Sequence, residues 1–169
     1  MTSLPFVPDL DDPNTNLVRE GWTRLSKIPG GRWAFSKLIG RFAPYSGTIN
    51  ASVEELRDGY ALVTLEDRPN VRNHLSCVHA IALVNLAEIA GNAAISYSLP
   101  PDARFIVAGI SIEYVKKARG TIRAVGTCQE SPTSERMEHR ISVVMSNGAG
   151  EVVARAELRT LVGPKTRQG

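Results

Sequence analysis

Two periods of hydrophobic spacing divide the chain. Between residues 14 and 43 the apolar positions Leu17, Val18, Trp22, Leu25, Trp33, Phe35, Leu38, Ile39 and Phe42 recur at intervals of three and four, the spacing of helices with one buried stripe. Asn14 or Thr15 is the candidate cap of a first helix running to about Lys27. Pro29-Gly30-Gly31 then breaks the chain, and a second helix over residues 32–42 ends before Pro44. From Thr48 the pattern alternates, with Ile49, Ala51 and Val53 set against Asn50, Ser52 and Glu54. Asp58-Gly59 is a hairpin signal, followed by a second strand over 60–66. An irregular stretch, 67–77, leads into a long and almost wholly apolar helix over 78–99, closed by Pro100-Pro101. Four strand-like runs follow, over 105–115, 121–129, 136–146 and 152–162. The first puts Ile106, Ala108, Ile110, Ile112 and Tyr114 on one face. The third groups His139, Ile141, Val143 and Met145. The fourth, entered through the turn Asn147-Gly148-Ala149-Gly150, alternates Ala154, Ala156 and Leu158 with Arg155, Glu157 and Arg159.

Alternation with one polar face marks antiparallel sheet, and an apolar helix needs cover on nearly every side. One antiparallel sheet wrapped around the long helix supplies that cover. The fold class expected is therefore α+β, with two extra N-terminal helices; an ordinary α+β sandwich is the competitor. The organisation expected is a flexible arm over 1–13, peripheral helices over 14–43, the sheet-and-helix domain over 44–162 and a mobile tail over 163–169.

Composition narrows the function. In 169 residues, 43% are hydrophobic and 22% charged, and the formal net charge is +3. One domain with a sizeable core fits these figures. The mild positive charge suits a small anionic ligand and is too weak to argue for nucleic acid. Cys77 and Cys128 have no metal or redox spacing, so neither a metal nor a redox cofactor is expected, and a reducing compartment, the cytoplasm, is the simpler setting. Residues 1–13 lack the pattern of a signal peptide. The long helix is interrupted by Asn85, Glu88, Asn92 and Ser96, which argues for a buried helix and against a membrane span.

The informative segment is Asn73-His74-Leu75-Ser76-Cys77-Val78-His79-Ala80, with Glu88 nine residues after His79. It resembles the phenylacetyl-CoA-thioesterase-like branch of the hotdog superfamily, in which a loop Asn is followed six residues later by His-Gly-Gly at a helix start and then by an acidic residue within the helix. Asn73, His79 and Glu88 fall in register with those positions; Ala80 and Ile81 stand where the two glycines usually do. The wider runs HLSCVHAIALVNLAEIAGNAA and ISIEYVKKARGTIRAVG are similar to the hotdog subgroup described as the domain of unknown function DUF4442, over about residues 40–162. The resemblance implies a hotdog fold and an acyl-CoA substrate, with coenzyme A as part of that substrate and no separate cofactor. It also implies a homodimer, or a dimer of dimers, with sites at the subunit interface.

Helical geometry points the same way. His79 and Glu88 are nine steps apart, about half a turn out of phase and ~13 Å along the axis. Serving one site, they must come from different subunits of an antiparallel pair. Glu88 is then the candidate general base or nucleophile. The Ala80 N–H at the helix start is the candidate oxyanion donor. Asn73 is placed to orient water or the carbonyl, His79 to bond the thioester oxygen or hold the loop, and Asn92 to contact substrate. Each has a plainer reading: the stripe Asn85, Glu88, Asn92 and Ser96 also fits a paired interface. His74 reads as a loop residue, His139 as a sheet-face residue and Cys77 as an inert packed thiol. Lys116, Lys117, Arg119 and Arg123 form either a solvated hairpin end or a contact for the phosphates of coenzyme A, with Arg68 and Arg72 as further candidates.

Three functions follow in order: acyl-CoA hydrolysis; non-catalytic binding of acyl-CoA or a fatty-acyl group, motivated by Ala80-Ile81; and hydration of acyl thioesters, ranked last because no His-Phe-Pro-Gly loop is present. Trp22 and Trp33 are expected either on the outer sheet face or over an acyl tunnel. Deleting residues 1–43 is predicted to bare an apolar sheet face and cause aggregation; size-exclusion chromatography yielding a soluble, folded truncation would contradict this.

Overall fold

The computed structural model describes residues 15–165. The expected arm over 1–13 lies outside them, as do the last four residues of the expected tail. Three helices come first: α1 (Leu17–Leu25), α2 (Gly31–Phe42) and the single turn α3 (Pro44–Gly47). The hairpin β1 (Ser52–Arg57) and β2 (Tyr60–Leu65) follows, then a 3-10 turn at Pro69–Val71. The long helix α4 (Ala80–Ser98) precedes β3 (Ala103–Tyr114), β4 (Ile122–Cys128), β5 (Met137–Ser146) and β6 (Val152–Pro164). The six strands form one antiparallel sheet in the order β1-β2-β4-β5-β6-β3.

The sheet curls around α4. Leu86, Ala87, Ala90, Ala94 and Ile95 of the helix are fully enclosed, against Val63 of β2, Ile122 and Ala124 of β4, Ile141 and Met145 of β5 and Leu158 of β6. Two glycines let the helix lie this close. A Cβ on Gly126 of β4 would sit 2.5 Å from the Ala90 carbonyl oxygen, and one on Gly91 would sit 2.6 Å from a Leu158 methyl. Half of the most apolar stretch of α4 is buried inside the protein although its length and composition would suffice to cross a membrane, as expected of a core helix.

The N-terminal helices lie on the helix side of the molecule, not on the outer sheet face: α1 packs on α4 and α2, α2 on β1, and α3 on α4. Trp22 meets Phe35 edge-to-face at 5.2 Å between ring centroids and ties α1 to α2, whereas Trp33 is 66% exposed. The cap of α1 is Asn16, one or two residues beyond the expected Asn14 or Thr15. Its Oδ1 accepts from the Arg19 N–H at 2.9 Å, while its Nδ2 donates to the carbonyls of Ser96 and Leu99, each at 2.8 Å. One side chain thus satisfies orphan donors at one helix start and orphan acceptors at another helix end.

Three expectations need correction. Residues 48–51 are not strand: Thr48 closes α3 and Asn50 takes φ +49°, so β1 begins only at Ser52. In β3 a register shift between Val107 and Gly109 exchanges the faces. Phe105 and Val107 pack inward before it, Ile110 and Ile112 after it, and Ile106 is left 67% exposed; strict alternation cannot anticipate an inserted residue. β6 also runs on to Pro164, two residues into the expected tail. The hairpin turn is as expected: Gly59 has φ +64°, and its N–H donates to Ser98 Oγ at 2.7 Å.

Gly126→Ala should lower stability by about 1–3 kcal/mol, because the carbonyl its methyl would strike belongs to the helix backbone and cannot rotate away. Chemical denaturation checks this; an unchanged midpoint would show that α4 is not held where the glycine places it.

Candidate active site

The loop before α4 is built by its own polar groups. Asn73 Oδ1 accepts from the Leu75 N–H (2.9 Å) and from the Cys77 thiol (3.3 Å), while the Asn73 N–H donates to the Cys77 carbonyl at 2.9 Å. Ser76 is forced to φ +53° by this tight turn. The loop is then stitched to its neighbours by Val78 N–H donating to the Ala118 carbonyl and His79 N–H to the Val71 carbonyl, both at 2.8 Å.

His79 is the N-cap of α4, and its Nδ1 accepts the Ile81 N–H at 3.1 Å. With Nδ1 accepting, the neutral ring carries its proton on Nε2, on the exposed side of the ring. The Ala80 N–H has no acceptor among the described residues, so a free backbone donor stands at the positive end of a 19-residue helix. Tyr114, from the end of β3, donates from Oη to the Ala80 carbonyl at 3.2 Å; burial raises its phenol pKa. A groove of about 340 Å³ runs here, lined by Asn73, Leu75, Cys77, Ala80, Leu83, Tyr114, Lys116 and Lys117 among others.

Glu88 does not reach this groove. It is half-buried on α4 and makes no hydrogen bond or ion pair among the described residues. One turn to either side, Asn85 and Asn92 each bury a side-chain oxygen that has no donor; Asn85 Nδ2 reaches the Tyr45 carbonyl at 3.4 Å. The structure therefore brings Asn73, Ala80, Lys116 and Lys117 together, and keeps Glu88 and Asn92 apart from them within one chain. A cavity of about 980 Å³ between the ends of β3, β5 and β6 touches none of these residues.

The cations are also sorted. Arg72 Nε bonds Asp67 Oδ1 at 2.6 Å, Arg68 donates to the Ile49 carbonyl, and Lys116 pairs with Glu151. Each of these cations thus has a partner within the chain. Lys117, Arg119 and Arg123 are exposed and make no ion pair among the described residues. His74 is an exposed loop residue, Cys77 is a packed thiol, and His139 is a buried sheet-face residue. Tyr114 and Asp67 carried no signal in the sequence, since their roles come from the chain meeting itself.

A long helix wrapped in one six-stranded antiparallel sheet defines a hotdog-fold protein. The chain belongs to the DUF4442 family, a domain of unknown function that matches residues 31–162. A structural-genomics crystal structure is 34% identical over 88% of this chain and 99% of its own, with a TM-score of 0.76. The thioesterase HI1161 of Haemophilus influenzae is 12% identical over 79% and 94% of the two chains, with a TM-score of 0.68. A hypothetical thioesterase of Streptococcus pneumoniae, solved as a mutant, is 20% identical over 69% and 92%, with a TM-score of 0.60. The latter two show the shared fold. No curated protein matches the chain.

Asp67 offers a pH test of the loop's anchoring. Its bond to Arg72 holds its carboxyl below the usual carboxylate range, aided by the Gly120 N–H at 2.9 Å. A depressed folded-state pKa contributes stability that is present above the unfolded value, near 4, and lost as pH falls through the folded one. Asp67→Asn should therefore lower Tm at pH 7, with the gap to the natural protein closing as pH falls below the unfolded value and through the depressed folded one; a gap independent of pH would refute the linkage.

Proposed function

We propose that the protein hydrolyses an acyl-CoA thioester at two sites per homodimer, each combining Glu88 of one subunit with the Asn73–Ala80 segment of the other. The observation that carries this is the pairing of an uncommitted carboxylate with an uncommitted helix-start N–H on one helix that cannot bring them together. Glu88 is eight residues from Ala80, roughly 12 Å along the axis. Asn85 and Asn92, whose side-chain oxygens are buried without a donor, flank Glu88 on the same stripe of α4. β3 supports the pairing too. It is a 12-residue edge strand whose free edge no other described strand covers, a template for a second copy.

In the reaction Glu88 accepts a proton from a water molecule, and the resulting hydroxide attacks the thioester carbonyl carbon. The oxygen that becomes negative is received by the Ala80 N–H, with His79 Nε2–H as a second donor. Asn73 holds the loop in shape through its carbonyl oxygen and leaves its amide to orient water or substrate. The tetrahedral intermediate expels the thiolate of coenzyme A, which takes up the proton held by Glu88, and leaves a carboxylic acid. Lys117 and Arg119 are the cations for the phosphates of coenzyme A; Lys116, tied to Glu151, contributes through the groove wall. The thioesterases among the structural neighbours agree with this reading. No metal takes part in it.

Purified protein should release thiol from at least one member of an acyl-CoA panel, and Glu88→Ala should lower kcat by about 10²–10⁴. Mixing Glu88→Ala with Asn73→Ala subunits should restore roughly a quarter of the natural activity after exchange, because only mixed dimers hold one intact site. No recovery on mixing would place both residues in one subunit. No turnover with a co-purified acyl ligand would assign the fold to acyl binding instead.

A further inference from the structure

The N-terminal helices carry a surface that hydrolysis does not use. Residues 15–45 hold six cations against one carboxylate, a net +5 in a chain whose total is +3, so that the remainder is net −2. Arg24 pairs with Glu20, and Arg19 donates to the Tyr97 carbonyl. The other four cations meet no carboxylate among the described residues; Lys37 touches only the neutral Asn50 and the Trp33 ring.

Each of these four is followed directly by a large apolar residue: Lys27-Ile28, Arg32-Trp33, Lys37-Leu38 and Arg41-Phe42. All eight are exposed, with Trp33 at 66% and Phe42 at 65%, and Tyr45 extends the series at 69%. On α2, buried Phe35 and half-buried Ile39 mark the inward side; Trp33, Lys37 and Arg41, spaced by four, share the opposite side. We propose that this face docks on the surface of an anionic phospholipid bilayer, its cations among the headgroups and its apolar tips at the acyl boundary.

The chemistry favours a bilayer over a protein partner. Its exposed apolar side chains alternate with charges and are spread around α2 and its flanks, so they form no single continuous patch. A fluid interface accepts that arrangement, whereas a protein partner needs a continuous apolar patch or a groove. Trp, Tyr, Lys and Arg are the residues that settle at the headgroup level, and the charge is concentrated where a negative leaflet would attract it. Docking has a consequence for the cleft of about 610 Å³ beneath. Trp33, Lys37 and Arg41 line it together with Ile89, next in sequence to Glu88. The mouth of that cleft would open on lipid.

The full chain should co-sediment with vesicles containing phosphatidylglycerol and not with pure phosphatidylcholine vesicles, and added salt should release it. Reversing Lys27, Arg32, Lys37 and Arg41 to Glu should weaken binding at least tenfold. In a Trp22→Phe background, Trp33 fluorescence should shift to the blue and be quenched by brominated lipid. Equal binding to both vesicle types, no binding to either, or a bound protein with unquenched Trp33 would each overturn the proposal. Loss of self-association by Trp33→Ala/Phe42→Ala, measured by light scattering and without vesicle binding, would assign the face to a second copy and equally overturn it. None of these readouts depends on thioester hydrolysis.

Discussion

Everything in this molecule is arranged around the seat of α4 on the sheet. A helix that is apolar on almost every side has no stable position in water, and here one curled sheet takes up most of that surface. The approach is close because small residues meet it from both sides: Ala87, Ala90 and Ala94 on the helix, Gly126 and Ala124 on β4. Close packing of this kind fixes the helix along its axis and around it. The register of Gly91 on Leu158 sets where the helix begins relative to the loops at that end of the sheet, and so where the Ala80 N–H points. The stripe that the sheet leaves half-covered is then dictated as well. It contains Glu88 and the two asparagines whose oxygens lack donors.

That seat divides the chemistry into two halves that one chain cannot join. At the start of α4 lies a backbone donor framed by Asn73, His79 and Tyr114; two turns along and on another side lies a carboxylate with nothing to hold. The loop half is rigid for physical reasons independent of catalysis. Asn73 closes a turn with its own side chain, Val78 and His79 are tied to Ala118 and Val71, and Asp67 clamps Arg72 to the β3–β4 loop. Such pre-ordering is what an oxyanion donor requires, since a donor that must reorganise during the reaction gives back part of its benefit.

Most of the architecture was legible because it rests on local rules. The change of period near residue 48, the Asp58-Gly59 turn and the proline pair after α4 each have a short-range cause. What was not legible depends on distant parts meeting. The face exchange in β3 comes from one extra residue facing β6. Asn16 displaces its neighbours as cap because the end of α4 is there to take its amide. The division of cations into committed and free depends on whether Asp67, Glu151 or a carbonyl is within reach, which spacing does not encode. Asn73, His79 and Glu88 stood out only through the segment's resemblance to a family motif, and the clustering of Asn73 with Tyr114 and Lys117 left no trace in the sequence.

The replacement of two glycines by Ala80 and Ile81 is best weighed by what each position does. A backbone N–H donates equally well from alanine, and Ala80 lies in ordinary helix, so the oxyanion position needs no glycine for its conformation. Ile81 differs. Its N–H is already taken by His79 Nδ1, and its side chain is 54% exposed at the edge of the helix start. A β-branched side chain there adds a stiff apolar group to the surface at the start of α4. The cleft that α2 and α3 close over Ile89 is built by the N-terminal helices, the part that distinguishes this chain from a bare sheet around a helix.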